Sequence, residues 1–310
     1  MKHVRCNFCD ADDAVILHHG PDLLLQKPGD FYLVRCRQCG LIYQNPQLSM
    51  AELANHYPDD YLPYQQNATN QQTRMVQVSR DQAIARFCDR VIQHRPQPGH
   101  LLDVGCATGS FLWAMQQRGW QVKGVEPIKH AAVQAQQDFG LEVFVGLLQE
   151  AAYPEATFDV VTLWDVLEHV ADAQATLQEV HRILKPGGLL VFSVPNPSCI
   201  EARLFGRNWV GWERPRHLTL IPPRLVPAYL QKARLELEGI ESFNGRLRLT
   251  LYSVEFMLKA RGVPEHKWRR WLDLAYTIPF RLATWPMYKL GEHFNQTSIM
   301  TVFAKRPYHL

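Results

Sequence analysis

An α/β fold built on a doubly wound, mostly parallel sheet is the class this sequence predicts, and three observations predict it. From His100 onward, short apolar runs alternate with helical stretches, as strand–helix–strand units require. The first run leads into Gly105 to Gly109, a glycine-bracketed turn that opens a helix at Phe111. The 310 residues are 46% hydrophobic and 20% charged, enough apolar side chains for one large core or two modest ones. That composition excludes a disordered chain, which would carry fewer apolar residues and more net charge, and a collagen-like one, which would show a glycine period. A formal net charge of +3 is too small to indicate nucleic acid, because phosphate-binding domains concentrate many Lys and Arg on one face.

The first element in the chain is a small module over residues 1–46 with two C-x-x-C pairs, Cys6-Asn7-Phe8-Cys9 and Cys36-Arg37-Gln38-Cys39. The start, Met1-Lys2-His3-Val4-Arg5, has no apolar stretch behind its basic residues, so no secretory signal or leading membrane span is expected and the chain is placed in the cytoplasm. In that reducing compartment cysteines serve as thiols, metal ligands or nucleophiles. Four thiolates in two close pairs suit tetrahedral zinc, and a four-Cys site has no open position, so the metal is structural. A redox role and a site that also grips substrate remain alternatives. Gly40 after the second pair meets the need for a permissive backbone, and Asp10 in the equivalent place is the next best tolerated. His3, His18 and His19 are possible substitute ligands, although four Cys suffice.

Residues 47–75 read as a short helix (Met50, Leu53, Ala54) followed by Tyr57, Tyr61 and Tyr64 and a Gln/Asn-rich linker, Gln65 to Gln72. The tyrosines either line a substrate mouth or pack a segment between two domains. A helix pattern resumes near Val76 and runs through Ile84, Phe87, Val91 and Ile92 to Pro96. Seven strands follow: Leu101 to Val104, Val122 to Val125, Val143 to Val145, Asp159 to Leu163, Leu189 to Val194, Leu235 to Ile240 and Ser298 to Lys305. Leu177, Val180, Ile183 and Leu184 share one face of a helix over Gln174 to Leu184, which Lys185-Pro186-Gly187-Gly188 stops, and Leu225 to Ala233 is a further helix.

In such sheets ligands bind at the carboxyl ends of the strands, where strand order reverses. Asp103-Val104-Gly105-Cys106-Ala107-Thr108-Gly109 lacks the Lys-Ser/Thr of a phosphate loop and the G-x-G-x-x-G of dinucleotide folds. Asp103 would repel a pyrophosphate but suits an ammonium or sulfonium, and S-adenosylmethionine carries both. Glu126 ends the next strand, at about the interval where a carboxylate accepts from ribose hydroxyls. The fourth strand ends in Trp164-Asp165.

Leu101-Leu102-Asp103-Val104-Gly105-Cys106-Ala107-Thr108-Gly109, Gly124-Val125-Glu126-Pro127, Phe158-Asp159-Val160-Val161, Leu167-Glu168-His169-Val170 and Leu184-Lys185-Pro186-Gly187-Gly188 resemble the successive motifs of class I S-adenosylmethionine-dependent methyltransferases. The resemblance implies a Rossmann-like, seven-stranded domain over residues 76–240 and 298–310. It implies that Gly105, Cys106, Ala107 and Gly109 approach the methionine part of the cofactor, Glu126 the ribose, and the Leu147-Leu148 and Trp164 positions the adenine, with Pro127 and Asp165 as further cofactor-binding residues. Leu147-Leu148-Gln149 departs from the pattern by lacking the Asp that many relatives offer the adenine amino group. The four-Cys module, ending in Cys39-Gly40-Leu41-Ile42-Tyr43-Gln44-Asn45-Pro46, resembles the zinc ribbon of a subgroup associated with sugar, glycan and natural-product pathways.

A sulfonium donor supplies its own activation, so the protein must align the acceptor and, if that acceptor is a hydroxyl or carbon acid, take its proton. His169 and His217 are the candidate bases, with packing roles as the alternative for each. Gly206 to Glu213, with Trp209 and Trp212, reads as a lid or a hydrophobic clasp. Cys88, Cys106 and Cys199 read as small buried residues. Residues 241–297 are an insertion the basic fold does not need, with Trp268, Trp271, Tyr276, Trp285 and Tyr288 among Lys267, Arg269, Arg270, Arg281 and Lys289. Asp273, Pro279, Arg281 and Pro286 interrupt it too often for a membrane span, leaving a cap, a dimer face or a helix lying on a membrane surface. The expectation is therefore a zinc-ribbon methyltransferase acting on a small or lipid-linked acceptor, foremost a sugar or glycan intermediate. The insertion would be its contact with the inner membrane surface, if it has one. An RNA methyltransferase and a non-catalytic cofactor-binding subunit are the alternatives, and nucleic acid is not expected because acids balance the basic residues of the module. The oligomeric state is left open.

Overall fold

The computed structural model describes residues 1–57, 71–243, 247–275 and 277–308. Tyr61, Tyr64, most of the Gln65 to Gln72 linker and Tyr276 lie outside these, as do the side chains of Asp273 and Arg281.

Three antiparallel strands come first: β1 (Ala14–Asp22), β2 (Lys27–Cys36) and β3 (Ile42–Gln44). Ser49 and Glu52 form a reciprocal capping box that starts α1 (Met50–Ala54). After α2 (Gln71–His94) the chain alternates β4 (His100–Val104), α3 (Ser110–Gln116), β5 (Gln121–Glu126), α4 (Lys129–Phe139) and β6 (Val143–Val145). It then returns to the other side of β4 with β7 (Phe158–Trp164), α5 (Ala173–Ile183) and β8 (Leu184–Pro195). Asp172 caps α5 through Ala175 N–H, and Leu177, Val180 and Ile183 face the core as their spacing requires. The helix stop falls where expected, but β8 begins at Leu184 instead of Leu189. Lys185 to Gly188 bulge out between the pairings Phe158–Leu184 and Val160–Leu189, with Gly187 at φ +72°.

Beyond β8 come α6 (Ile200–Phe205), two single 3-10 turns (Gly206–Asn208 and Val210–Trp212), β9 (Thr219–Leu220), α7 (Val226–Lys232) and β10 (Glu236–Glu241). The insertion folds as α8 (Leu247–Ala260), α9 (Glu265–Ala275) and α10 (Ile278–His293), ahead of β11 (Ile299–Lys305). Pro279 sits in the first turn of α10, where its missing N–H costs nothing.

The large sheet has seven strands in the order β10-β11-β8-β7-β4-β5-β6, parallel from β8 to β6, with β11 antiparallel to both its neighbours. This is the Rossmann-like α/β architecture. One face carries Leu102, Val161, Leu190 and Val302 against α5, α7 and the cysteine module. The other carries Leu101, Val160, Val191 and Phe303 against α2, α3 and α4. Successive strand residues thus serve opposite cores, which is why these strands read as unbroken apolar runs.

The second sheet, β1-β2-β3-β9, takes its fourth strand from the loop after β8, a pairing no local pattern announces. Ile42 pairs with Leu220 and Tyr43 with Thr219, so the sheet of the cysteine module extends onto the loop after β8. Trp209 and Trp212 are a buried clasp, edge to face at 4.9 Å, with Trp209 Nε1 donating to Ser298 Oγ and Trp212 Nε1 to the Gly206 carbonyl. Ser253 of α8 closes over them by accepting from Val210 N–H.

Candidate functional site

Strand order reverses between β4 and β7, and their carboxyl ends open the crevice where such sheets bind ligands. The turn after β4 holds Gly105 at φ +73°, Ala107 at +47° and Gly109 at +79°. A Cβ on Gly105 would come within 2.5 Å of Val166 Cγ2, so only glycine lets the β4 turn pass the loop after β7. Cys106 turns its Sγ into the core against Gly124, leaving its backbone to the crevice. Glu126 is buried, its Oε2 accepting from Ala107 N–H at 2.8 Å and its Oε1 from Ile128 N–H at 2.9 Å. Asp103 is also buried and accepts from the Thr162 hydroxyl at 2.6 Å.

Burial pushes the Asp103 carboxyl up to about 8, and the nearby Glu126 adds to the shift; burial raises Glu126 too. Two buried carboxylates side by side that, among the described residues, have no cationic side chain as partner suit a ligand bringing its own positive charge and hydroxyls. These residues therefore fit S-adenosylmethionine. Arg80 of α2, which the sequence reading passed over, donates to Thr108 Oγ1 and Ser110 Oγ and brings a half-buried cation to the same turn.

The other expected cofactor residues are spread around the crevice. Pro127 is exposed between β5 and α4. Leu148 is turned into the core, whereas its neighbour Leu147 is 48% exposed. Trp164 stacks on Phe87 at 4.2 Å and meets Phe111 edge-on. Asp165, at φ +55°, is held to β8 by Ser193, whose hydroxyl donates to Asp165 Oδ1.

The loop after β7 brings Glu168 and His169 to His217, the residue two before β9; one ligand atom from each lies within 4.8 Å of the others. The imidazoles stand at 69° with ring centres 4.7 Å apart. His169 Nδ1 lies 3.1 Å from the Arg216 carbonyl and 2.9 Å from the Tyr57 hydroxyl; His217 Nδ1 lies 2.8 Å from the Gly211 carbonyl. A carbonyl can only accept, so each Nδ1 carries the proton and each Nε2 keeps its lone pair. Burial, with His217 alongside, holds His169 down to about 3, and burial lowers His217 as well. Both rings are therefore neutral bases near pH 7. Glu168 is 2% exposed, its Oε2 has no hydrogen-bond partner among the described residues, and burial raises it well above the usual carboxylate range. Two neutral imidazoles and a carboxylate are also a donor set that could hold a divalent cation.

A buried ion-pair network that the sequence reading missed fixes this cluster. Arg216, fully buried, donates to both oxygens of Asp22 at 2.7 and 2.9 Å, to the His56 carbonyl and to Glu213 Oε1. Asp22 also pairs with His56 Nδ1 at 2.8 Å, and Glu213 Oε2 stands 3.6 Å from His217 Nε2. The run Arg214-Pro215-Arg216-His217 was a visible signal, but nothing local linked it to Asp22 at the end of β1.

The four cysteines converge with Cys6 Sγ and Cys39 Sγ 3.5 Å apart and Cys9 Sγ and Cys36 Sγ 3.5 Å apart. Tetrahedral zinc with bonds of about 2.3 Å spaces its sulfurs by about 3.8 Å, so this group could hold the ion. The two turns are equivalent: Asp10 N–H donates to the Cys6 carbonyl and Gly40 N–H to the Cys36 carbonyl, with φ +59° and +84°. His3 and His19 pair instead with Asp12 and Asp30, and His18 packs on Trp212.

The chain belongs to the methyltransferase-domain family, whose model matches residues 76–238. Within it, the chain is a class I S-adenosylmethionine-dependent methyltransferase. A ubiquinone biosynthesis O-methyltransferase of Xanthomonas oryzae pv. oryzae (strain PXO99A) is 31% identical over 168 residues, covering 48% of this chain and 70% of that protein. One from Azoarcus sp. (strain BH72) is 31% identical over 180 residues, covering 52% and 77%. The crystal structure of a SAM-dependent methyltransferase from Archaeoglobus fulgidus superposes with a TM-score of 0.50 at 19% identity, over 73% of this chain and 94% of that one, and shows the shared fold.

Proposed function

We propose that the protein transfers a methyl group to a hydroxyl oxygen of a small or lipid-linked acceptor, with His169 and His217 supplying the base. Bound S-adenosylmethionine supplies an electrophilic methyl on a sulfonium. Asp103 and Glu126 receive its charge and ribose hydroxyls, Arg80 its carboxylate, the Gly105, Cys106, Ala107 and Gly109 backbone its methionine part. Pro127, Leu148, Trp164 and Asp165 border the adenine end, with the exposed Leu147 as an added contact. The carrying observation is the pair of neutral imidazoles, His169 and His217, that meet beside Glu168 at the end of β7. A hydroxyl must lose its proton as it attacks, and an unprotonated imidazole has a free lone pair to take it.

The names of the O-methyltransferase relatives support an aromatic hydroxyl on a quinone precursor. The sugar acceptor rests on the resemblance of the four-Cys module alone. Residues 1–46 are proposed to hold structural zinc through Cys6, Cys9, Cys36 and Cys39, with residues 47–75 as connector and residues 76–240 and 298–310 as the catalytic unit. For residues 241–297 the proposal is contact with the inner membrane surface from the cytoplasmic side. Trp271 (73% exposed), Leu274, Leu282, Trp285 and Leu290 lie uncovered on α9 and α10, beside Arg269, Arg270 and Lys289. Among the described residues no helix is long and apolar enough to cross a membrane.

The test is to incubate the protein with methyl-labelled cofactor and a whole-cell extract, then separate organic, aqueous small-molecule and RNA fractions. Alkali-stable label in the organic phase, lost in His217→Gln, is the expected result. Label in the aqueous fraction would support the soluble sugar and remove the membrane role of α9 and α10. Label in RNA, or none that depends on the protein, would overturn the reading.

A further inference from the structure

Arg214 is 5% exposed and, among the described residues, its Nη1 has no hydrogen-bond partner. Its Nη2 reaches the Arg207 carbonyl, at 3.5 Å. Among the described residues no carboxylate lies within ion-pair distance of its guanidinium. Asp22 and Asp30 act on it through space, but Asp22 is taken by Arg216 and His56, and Asp30 by His19 and Tyr32. A buried guanidinium without a counter-ion is costly, and two Arg side by side make it more so, because Arg207 further disfavours the charge on Arg214. The same two arginines hold the ring of His18 toward its neutral form, after burial. Three basic side chains thus meet at one place with no acid paired to them.

The Arg214 side chain lines a small cavity with Leu23, Leu24, Trp209, Trp212 and Phe256, whose room of about 10 Å³ admits one oxygen-sized group. Glu213 borders it too, but turns its oxygens to Arg216 and His217. A lone water in an apolar pocket cannot neutralise the charge; an oxygen of an oxyanion can. Three residues along the same short loop, His217 enters the Glu168–His169 cluster. We propose that Arg214, with the exposed Arg207 beside it, is an anion subsite that takes an oxygen of a carboxylate or phosphate group carried by the methyl acceptor. The site thereby selects acidic acceptors and holds them at a fixed offset from the base, with Nη1 donating to one of their oxygens. This rests on the acceptor reading of His217 for its purpose but not for its chemistry.

The experiment is isothermal titration of the full chain with benzoate, phenyl phosphate and benzyl alcohol, without turnover. One of the two acids binds about tenfold or more tightly than the alcohol, and which one identifies the group. Arg214→Met removes that preference while S-adenosylmethionine affinity, read in the same preparation, is unchanged; Arg214→Lys recovers part of it. If Arg214→Met does not fold, Arg207→Ala at an exposed position gives the reading, with a several-fold loss for the acid alone. Equal binding of acid and alcohol, no binding of either acid, or preference unaltered in the folded variants overturns the proposal. Failure of methyl transfer in the extract assay would remove the acceptor reading and leave this titration standing.

Discussion

The cofactor crevice at the end of β4 and the acceptor cluster at the end of β7 are neighbours built from buried titratable groups, yet they are assembled in opposite ways. In the crevice, Asp103, Gly105, Gly109 and Glu126 come from two adjacent strands and one turn, and burial raises both carboxyls. In the cluster, Tyr57, Glu168, His169 and His217 come from three distant segments, and the rings are neutral. What holds the cluster together is Arg216, reaching from the His217 loop to Asp22 in the small sheet. A site that meets one invariable cofactor can be made from a continuous motif; one that meets a particular acceptor is gathered from loops and an added module.

If the difference is real, the two sites should fail separately. Arg216→Met leaves the Asp22 carboxylate buried without its partner and should destabilise the fold by about 3–5 kcal/mol in urea unfolding, whereas cofactor affinity of the surviving native protein should hold. A loss below about 1 kcal/mol would break the idea of a buried tie. Gly105→Ala forces a Cβ against Val166 at φ +73° and should cost about 1–3 kcal/mol, read as at least tenfold weaker cofactor binding. It should leave the Nδ1–H tautomers of His169 and His217 unchanged in nitrogen NMR.

The pH profile of cofactor binding sharpens the electrostatic half of the contrast. Below its value of about 8 Asp103 is protonated in the free protein, and the cationic cofactor favours the ionised form. Affinity should therefore rise with pH by up to about tenfold per unit from 6 to 8, then level off, with proton release on binding. Asp103→Asn should flatten the profile. A wild-type profile that falls over this range would contradict the assignment.

The same contrast explains what the sequence made legible. The seven strands, the glycine turn and Glu126 lie on regular elements, where alternation and spacing report directly on position. Gly40 and Asp10 were readable because a tight turn around paired cysteines demands φ > 0 there. β9 was not readable: two residues carry no periodicity, and Thr219–Leu220 becomes a strand only because β3 offers an edge. The Asp22–Arg216 pair joins residues at the ends of two elements with no pattern between them. Gly187 and Gly188 looked like a break before β8, whereas the strand absorbs them as a bulge. The helices of residues 241–297 followed from their aromatic and basic spacing, but not the split between α8, which packs on the tryptophan clasp, and the uncovered faces of α9 and α10.

The central claim is that the His169–His217 cluster removes the acceptor proton while the crevice independently binds the cofactor. Single-turnover methyl transfer by His169→Gln and His217→Gln, with cofactor affinity measured on the same samples, tests it most directly. Transfer should slow by about 100- to 10,000-fold in at least one variant, with cofactor affinity within about twofold of wild type. Both variants transferring at the wild-type rate, or losing cofactor affinity in step with rate, would contradict it.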